Sequence, residues 1–209
     1  RLMTLQNGAG HEDLLKEFVA EDHIIIGTTE DNGAVLGVGH VRHGGAGVTN
    51  VGMLTEDQEG FLPKLKEAFD ACGFQVKIHD NIQQLIWDKL FTNVSLSALT
   101  GVLQVDMGYI AGNEYAWNLC CQLIHETAMT AKAAGLTFDE DKMREKVRVT
   151  SVNNPNGCTS IRADLRDGRK TEVDTISGAV VRAAEKYGVE VPGHSFIVRM
   201  VHAMEGRNK

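Results

Sequence analysis

A chain of 209 residues, 43% hydrophobic and 23% charged, has room for one large domain or two small ones and the composition of an ordinary globular protein. Its formal charge of -7, from 28 acidic and 21 basic residues, argues against a general nucleic-acid binder. The sequence holds no apolar run long enough to span a membrane and no secretory hydrophobic region, and Cys72, Cys120, Cys121 and Cys158 lack CxxC spacing, so a reducing cytoplasm is the expected setting.

Residues 1–5 read as the end of a buried strand already under way, which suggests that a longer domain precedes them. Gln6-Asn7-Gly8-Ala9-Gly10 is a turn-rich loop, and a helix is expected from His11 to about Glu21. His23-Ile24-Ile25-Ile26-Gly27 is a β-branched run typical of a parallel-sheet strand. Residues 34–52 read as two or three short strands joined by glycine turns such as Gly44-Gly45. A helix over about 57–72 and a strand over 74–79 complete a first region, residues 1–80, of α/β character. From residue 81 to 209 only helices are expected, at 81–99, 113–134, 139–152, 157–166, 174–187 and 193–206.

The most informative stretch is Ile86 to Ser97. As an α-helix it stacks Lys89, Asn93 and Ser97 on one face, four residues apart. Leu85, Ile86, Trp87, Leu90, Phe91, Val94, Leu96, Ala98 and Leu99 surround them, so the helix is expected to be buried. A lysine in such a place can have its ammonium pKa lowered and serve as a proton donor near neutral pH. The bland alternative is a lysine that snorkels outward or pairs with Asp88 or a remote carboxylate.

Three further segments carry candidate chemistry. The Gln6–Gly10 loop joins a strand to a helix and can bring backbone close to a ligand, although it is not a GxGxxG fingerprint. Ser160 and Asp164 share a helix face, which by itself reads first as a solvated surface. In Asp167-Gly168-Arg169-Lys170-Thr171-Glu172-Val173-Asp174, Glu172 can point into a cleft toward a ligand hydroxyl, or the acidic residues can simply suit a helix N-terminus that Thr171 caps. The eight histidines form no HExxH pair, and no metal site is expected.

Taken in order, Gln6–Gly10, Trp87-Asp88-Lys89-Leu90-Phe91-Thr92-Asn93, Ser160–Asp164, Gly168–Asp174 and the tail Gly188-Val189-Glu190-Val191-Pro192 resemble the ketopantoate reductase (2-dehydropantoate 2-reductase) family over essentially the whole chain. The resemblance implies the end of an NADP-binding Rossmann domain over 1–80. An all-α substrate-binding and dimerisation domain, like the C-terminal domain of 6-phosphogluconate dehydrogenase relatives, would follow over 81–209. The glycine-rich phosphate loop would lie upstream. The resemblance further implies NADPH as cofactor, a small 2-keto acid as substrate and a homodimer, with no nucleic acid and no membrane as partner. By motif position Lys89 is the proton donor, Asn7 lies at nicotinamide and substrate, and Asn93, Ser97 and Ser160 hold the substrate. Glu172 bonds the cofactor, Gly33 lines the cofactor cleft, and Asp164 gives structural support.

Two positions depart from the family pattern: Ser97 and Met107 stand where asparagines are common. A reductase of another 2-keto acid is therefore a rival reading, and a non-catalytic helical oligomerisation module is the rival from a different class.

Overall fold

A computed structural model describes residues 1–206, and the chain packs as two units. The first comprises residues 1–6 and 10–86; the second comprises residues 7–9 and everything from Trp87 onward. The two units meet in the chain between Ile86 and Trp87, inside a helix.

In the first unit a four-stranded sheet runs β1 (Leu2–Thr4), β2 (Ile24–Thr29), β5 (Val48–Met53), β6 (Gln75–Ile78). β1 is parallel to β2 and β5 to β6, whereas β2 and β5 are antiparallel. Ile24, Ile25 and Ile26 are all buried, as a run of β-branched residues covered on both faces should be. Ile25, Val51, Met53, Leu62 and Val76 form the core, with Leu5, Phe61, Leu65 and Phe69 packed on it from β1's end and from α2 (Phe61–Ala71). Asp57 caps α2, accepting the Phe61 and Leu62 amides at 2.9 and 2.8 Å.

Two local expectations need correction. The helix expected over 11–21 closes at Leu15 (α1, His11–Leu15); beyond it the Glu17 and Phe18 amides bond three residues back, which tightens the coil out of α-helical register. Gly44-Gly45 is not a turn but part of β4 (His40–Gly45), which pairs with β3 (Asn32–Gly37) in a separate ribbon. The ribbon turns at Val38-Gly39, where Gly39 takes a φ of 70°.

The second unit is helical among its described residues: the end of α3 (Ile82–Thr92), a π-helical turn at Asn93–Ser97, then α4 (Ala98–Leu103), α5 (Met107–Gly112), α6 (Glu114–Ala133), α7 (Glu140–Asn153), α8 (Ser160–Arg166), α9 (Ser177–Tyr187) and α10 (Pro192–Glu205). The short α5 was not expected from the sequence. No helix of the described residues is long and apolar enough to cross a membrane.

A buried polar joint fastens α6 to α10. Glu126, 4% exposed, accepts the Gly193 and His194 amides at 2.9 and 3.0 Å, so a carboxylate from α6 caps α10. His194 Nε2 lies 3.0 Å from the Leu123 carbonyl and 3.0 Å from the Thr127 hydroxyl. A carbonyl can only accept, so Nε2 carries the proton; Nδ1 is buried with no hydrogen-bond partner among the described residues. Burial pulls the His194 pKa down to about 4, against the attraction of Glu126. Because the unfolded histidine titrates near 6.5, the unfolded chain binds a proton that the fold refuses between pH 6.5 and about 4. Stability is therefore expected to fall as pH drops through that window. Urea unfolding should show a lower midpoint at pH 5 than at pH 7, and His194→Gln should flatten the difference. His202 acts in the opposite sense: Glu205 and Asp174 raise its pKa, so its contribution is lost as pH rises, but it is solvent-exposed and screened.

Candidate functional site

The helical rod that carries Lys89 starts where the Asn81 side chain accepts the Gln84 amide at 3.2 Å and runs without interruption to Leu103. It stops at Gln104, the one non-glycine with a left-handed backbone among the described residues (φ 55°). Its middle is not α-helical: over Asn93–Ser97 the ladder shifts to the wider π register. Such single-turn π insertions are rare and concentrate at functional sites. Buried hydroxyls hold it. Ser95 Oγ donates to the Phe91 carbonyl at 2.5 Å, and Thr100 Oγ1 donates to the Leu96 carbonyl at 2.7 Å.

The π turn interrupts the α-helical spacing on which the stacking of Lys89, Asn93 and Ser97 was expected. In an α-helix residues four apart differ by about 40° in azimuth. The wider turn takes up an additional residue, so the azimuth of Ser97 no longer follows from α-helical spacing. Lys89 and Asn93 are half-buried, and Ser97 is 7% exposed. Asp88, beside Lys89, pairs through its carboxylate with Lys146 of α7, which also reaches the Asp88 backbone carbonyl at 3.2 Å.

Ser160 opens α8 and is exposed. Its position is fixed from behind. Thr159, the N-cap, accepts the Arg162 amide at 3.4 Å, and its hydroxyl meets that of Thr100 at 2.7 Å. Gly101 lets α4 and α8 touch: a Cβ there would lie 2.5 Å from Ile161 Cγ2. The π turn also packs against α8, so Asn93, Ser97 and Ser160 sit on neighbouring elements.

The loop at the start of the chain meets the Gly168–Asp174 motif directly. Asn7 Nδ2 donates to Glu172 Oε2 at 3.5 Å, across 165 residues of sequence, and the Ala9 amide donates to the Thr175 carbonyl at 2.9 Å. Gly8 has a φ of 98°, and a Cβ on it would fall 1.9 Å from the Thr175 oxygen. Only glycine permits that approach. Glu172 is half-buried between buried Thr171 and Val173. Thr171 does not cap α9; its amide and hydroxyl both bond Glu205 at 2.7 Å, fastening the segment to α10.

Gly33 is exposed on β3, opposite His43, and a Cβ there would meet only the Arg42 carbonyl at 3.9 Å. Asp164 accepts the Arg169 guanidinium at 2.8 Å and, through its carbonyl, the Arg169 amide at 2.7 Å, so it braces the turn that leads to Glu172. Met107 packs its sulfur over Gly157, donates its amide to the Gly157 carbonyl and accepts Ser151 Oγ at 2.6 Å. Methionine at 107 is therefore a packing residue against the turn that precedes α8.

Sequence reasoning missed Thr100, Thr159 and Gly101. The available signals were a threonine directly before the Ser160 helix and a glycine inside an otherwise apolar helix.

The family profile described as "Ketopantoate reductase PanE/ApbA C terminal" matches residues 81–205, and "Ketopantoate reductase PanE/ApbA" matches residues 1–56. A 2-dehydropantoate 2-reductase from Halobacterium salinarum is 30% identical over 191 residues, 91% of this chain and 63% of that protein, so the chain spans less than two thirds of that relative's length. A D-mandelate dehydrogenase solved with NADH and anilino(oxo)acetate is 27% identical, with a TM-score of 0.88 over 99% of this chain and 68% of that one. The PanE/ApbA family ketopantoate reductase from Ralstonia eutropha JMP134 is 25% identical, with a TM-score of 0.87 over 99% of this chain and 67% of that one. The α/β sheet followed by a helical unit is thus an architecture shared with these structures. With one family matched across both units, the chain belongs to the ketopantoate reductases.

Proposed function

We propose that the protein reduces a 2-keto acid to the 2-hydroxy acid with a nicotinamide cofactor, and that the substrate is 2-dehydropantoate with NADPH as reductant. The observation that carries this reading is the junction of Asn7 with Glu172 beside a close backbone approach at Gly8. It offers a half-buried carboxylate for a ribose hydroxyl and an amide next to it, which fits a nicotinamide nucleotide. When bound, that cofactor supplies the hydride for the ketone carbon.

The chain's own residues do the rest. Lys89 donates a proton from Nζ to the ketone oxygen as negative charge builds there, and its cationic charge stabilises that oxygen. Asn93 and Ser97 orient the substrate's polar groups, and the Ser160 hydroxyl holds the carboxylate. A homodimer through the helical unit accompanies this reading. Exposed Tyr109, Tyr115 and Leu119 on α5 and α6 support it, and the mass in solution decides it.

A second reading is favoured by one specific likeness. A structural relative at 27% identity is a D-mandelate dehydrogenase solved with NADH, and Ser97 here lacks the amide often found in ketopantoate reductases. Comparison of kcat/KM for ketopantoate and other 2-keto acids, each with NADPH and with NADH, separates the two. Ketopantoate with NADPH should lead by at least about tenfold, the worth of one discriminating hydrogen bond. A lead by an aromatic keto acid with NADH would move the substrate and leave the chemistry intact.

A further inference from the structure

We propose that Thr100 is a positioning residue whose hydroxyl couples the π turn carrying Asn93 and Ser97 to the helix start carrying Ser160. The inference rests on the reading that those three residues hold the substrate.

The direction of every bond in the network is determined. The Arg162 amide can only donate, and it does so to Thr159 Oγ1 at 3.4 Å. The Leu96 and Ser97 carbonyls can only accept, and Thr100 Oγ1 lies 2.7 and 3.3 Å from them. The hydroxyl proton of Thr100 is therefore committed to the π turn. The 2.7 Å contact between the hydroxyls must then run from Thr159 to Thr100. The result is a one-way chain from the first turn of α8, through Thr159 and Thr100, to the carbonyls of the π turn. Thr100 is fully buried and Thr159 is 9% exposed, so water does not readily replace either partner. Gly101, beside Thr100, lets the two helices pack closely, since a Cβ there would lie 2.5 Å from Ile161 Cγ2.

A shift of the π turn at Leu96 or Ser97 must then move the cap of α8, and a shift of the cap must move the turn. Lys89 stands in the regular α-helical part before the insertion, outside this chain of bonds. The coupling should thus govern how the substrate is held rather than how it is protonated.

The test uses the full-length gene product with the best 2-keto acid, measuring kcat, both KM values and the urea midpoint. Thr100→Val keeps the shape and removes the hydroxyl. It should raise the keto-acid KM about tenfold, roughly the worth of one buried hydrogen bond, with kcat and the cofactor KM nearly unchanged. Thr100→Ser should restore the KM. Thr159→Ala, which cuts the chain from the other side, should raise the same KM, and the double variant should add little further, as members of one network do. If Thr100→Val lowers only the urea midpoint, or if serine fails to rescue, the coupling is overturned while the reductase reading stands. Absence of turnover of any 2-keto acid by the folded, unaltered protein would overturn both.

Discussion

Lys89→Ala is expected to lower kcat by about 10²- to 10⁴-fold, the range for removal of a positioned general acid. The keto-acid KM should change far less, because Asn93, Ser97 and Ser160 are expected to make the binding contacts. The expectation follows from placement: Lys89 is half-buried on a helix whose next residues, Leu90 and Phe91, are fully buried. Its backbone is held one turn before the π insertion. Single-turnover oxidation of the reduced nicotinamide reads the chemical step directly. Retention of most of the rate in Lys89→Ala would remove the lysine from the mechanism.

Gly8→Ala is expected to have the second largest effect. Two penalties coincide at this position. The φ of 98° is unfavourable for any residue with a Cβ, by about 1–2 kcal/mol. The new methyl would also lie 1.9 Å from the Thr175 carbonyl oxygen, and that backbone belongs to the turn that fixes Glu172. The loop must move away, and the Asn7–Glu172 contact goes with it. The cofactor KM should rise by roughly 10- to 100-fold, equivalent to one to two lost contacts. Gly60→Ala is the control, since its φ of 61° carries backbone strain but its Cβ would meet nothing. Equal behaviour of the two variants would show that the approach to Thr175 is irrelevant.

Much of the arrangement was legible in the sequence for physical reasons. Ile24-Ile25-Ile26 is buried on both faces and could only be a central strand. Gly188, with a φ of 69°, closes α9, and Pro192 opens α10; both residues constrain the backbone whatever surrounds them. The candidate site was harder to read. Asn7 and Glu172 are 165 residues apart, and only the ordered motifs of a family suggested that they belong together. The π turn left no mark in the pattern: Ser95 and Thr100 read as tolerated polar residues in an apolar helix, their hydroxyls bond carbonyls one turn back, and the contact of Thr100 with Thr159 spans 59 residues. Met107 stands where the family often has asparagine, and its sulfur packs on Gly157, a pairing that no local pattern encodes. Gly33 resembled a cleft residue only by its place in the motif order, and its open surroundings on β3 do not call for glycine.

The central claim is that a hydride reaches the ketone carbon of a 2-keto acid in this protein. The most direct measurement is to supply the full-length gene product with reduced nicotinamide deuterated at the transferring C4 position, together with ketopantoate and the other 2-keto acids. The hydroxy acid formed is then analysed for label. Deuterium is expected on C2 of the product, with unlabelled hydrogen on its oxygen after exchange with water. A folded protein that forms no labelled hydroxy acid from any of these substrates would contradict the claim.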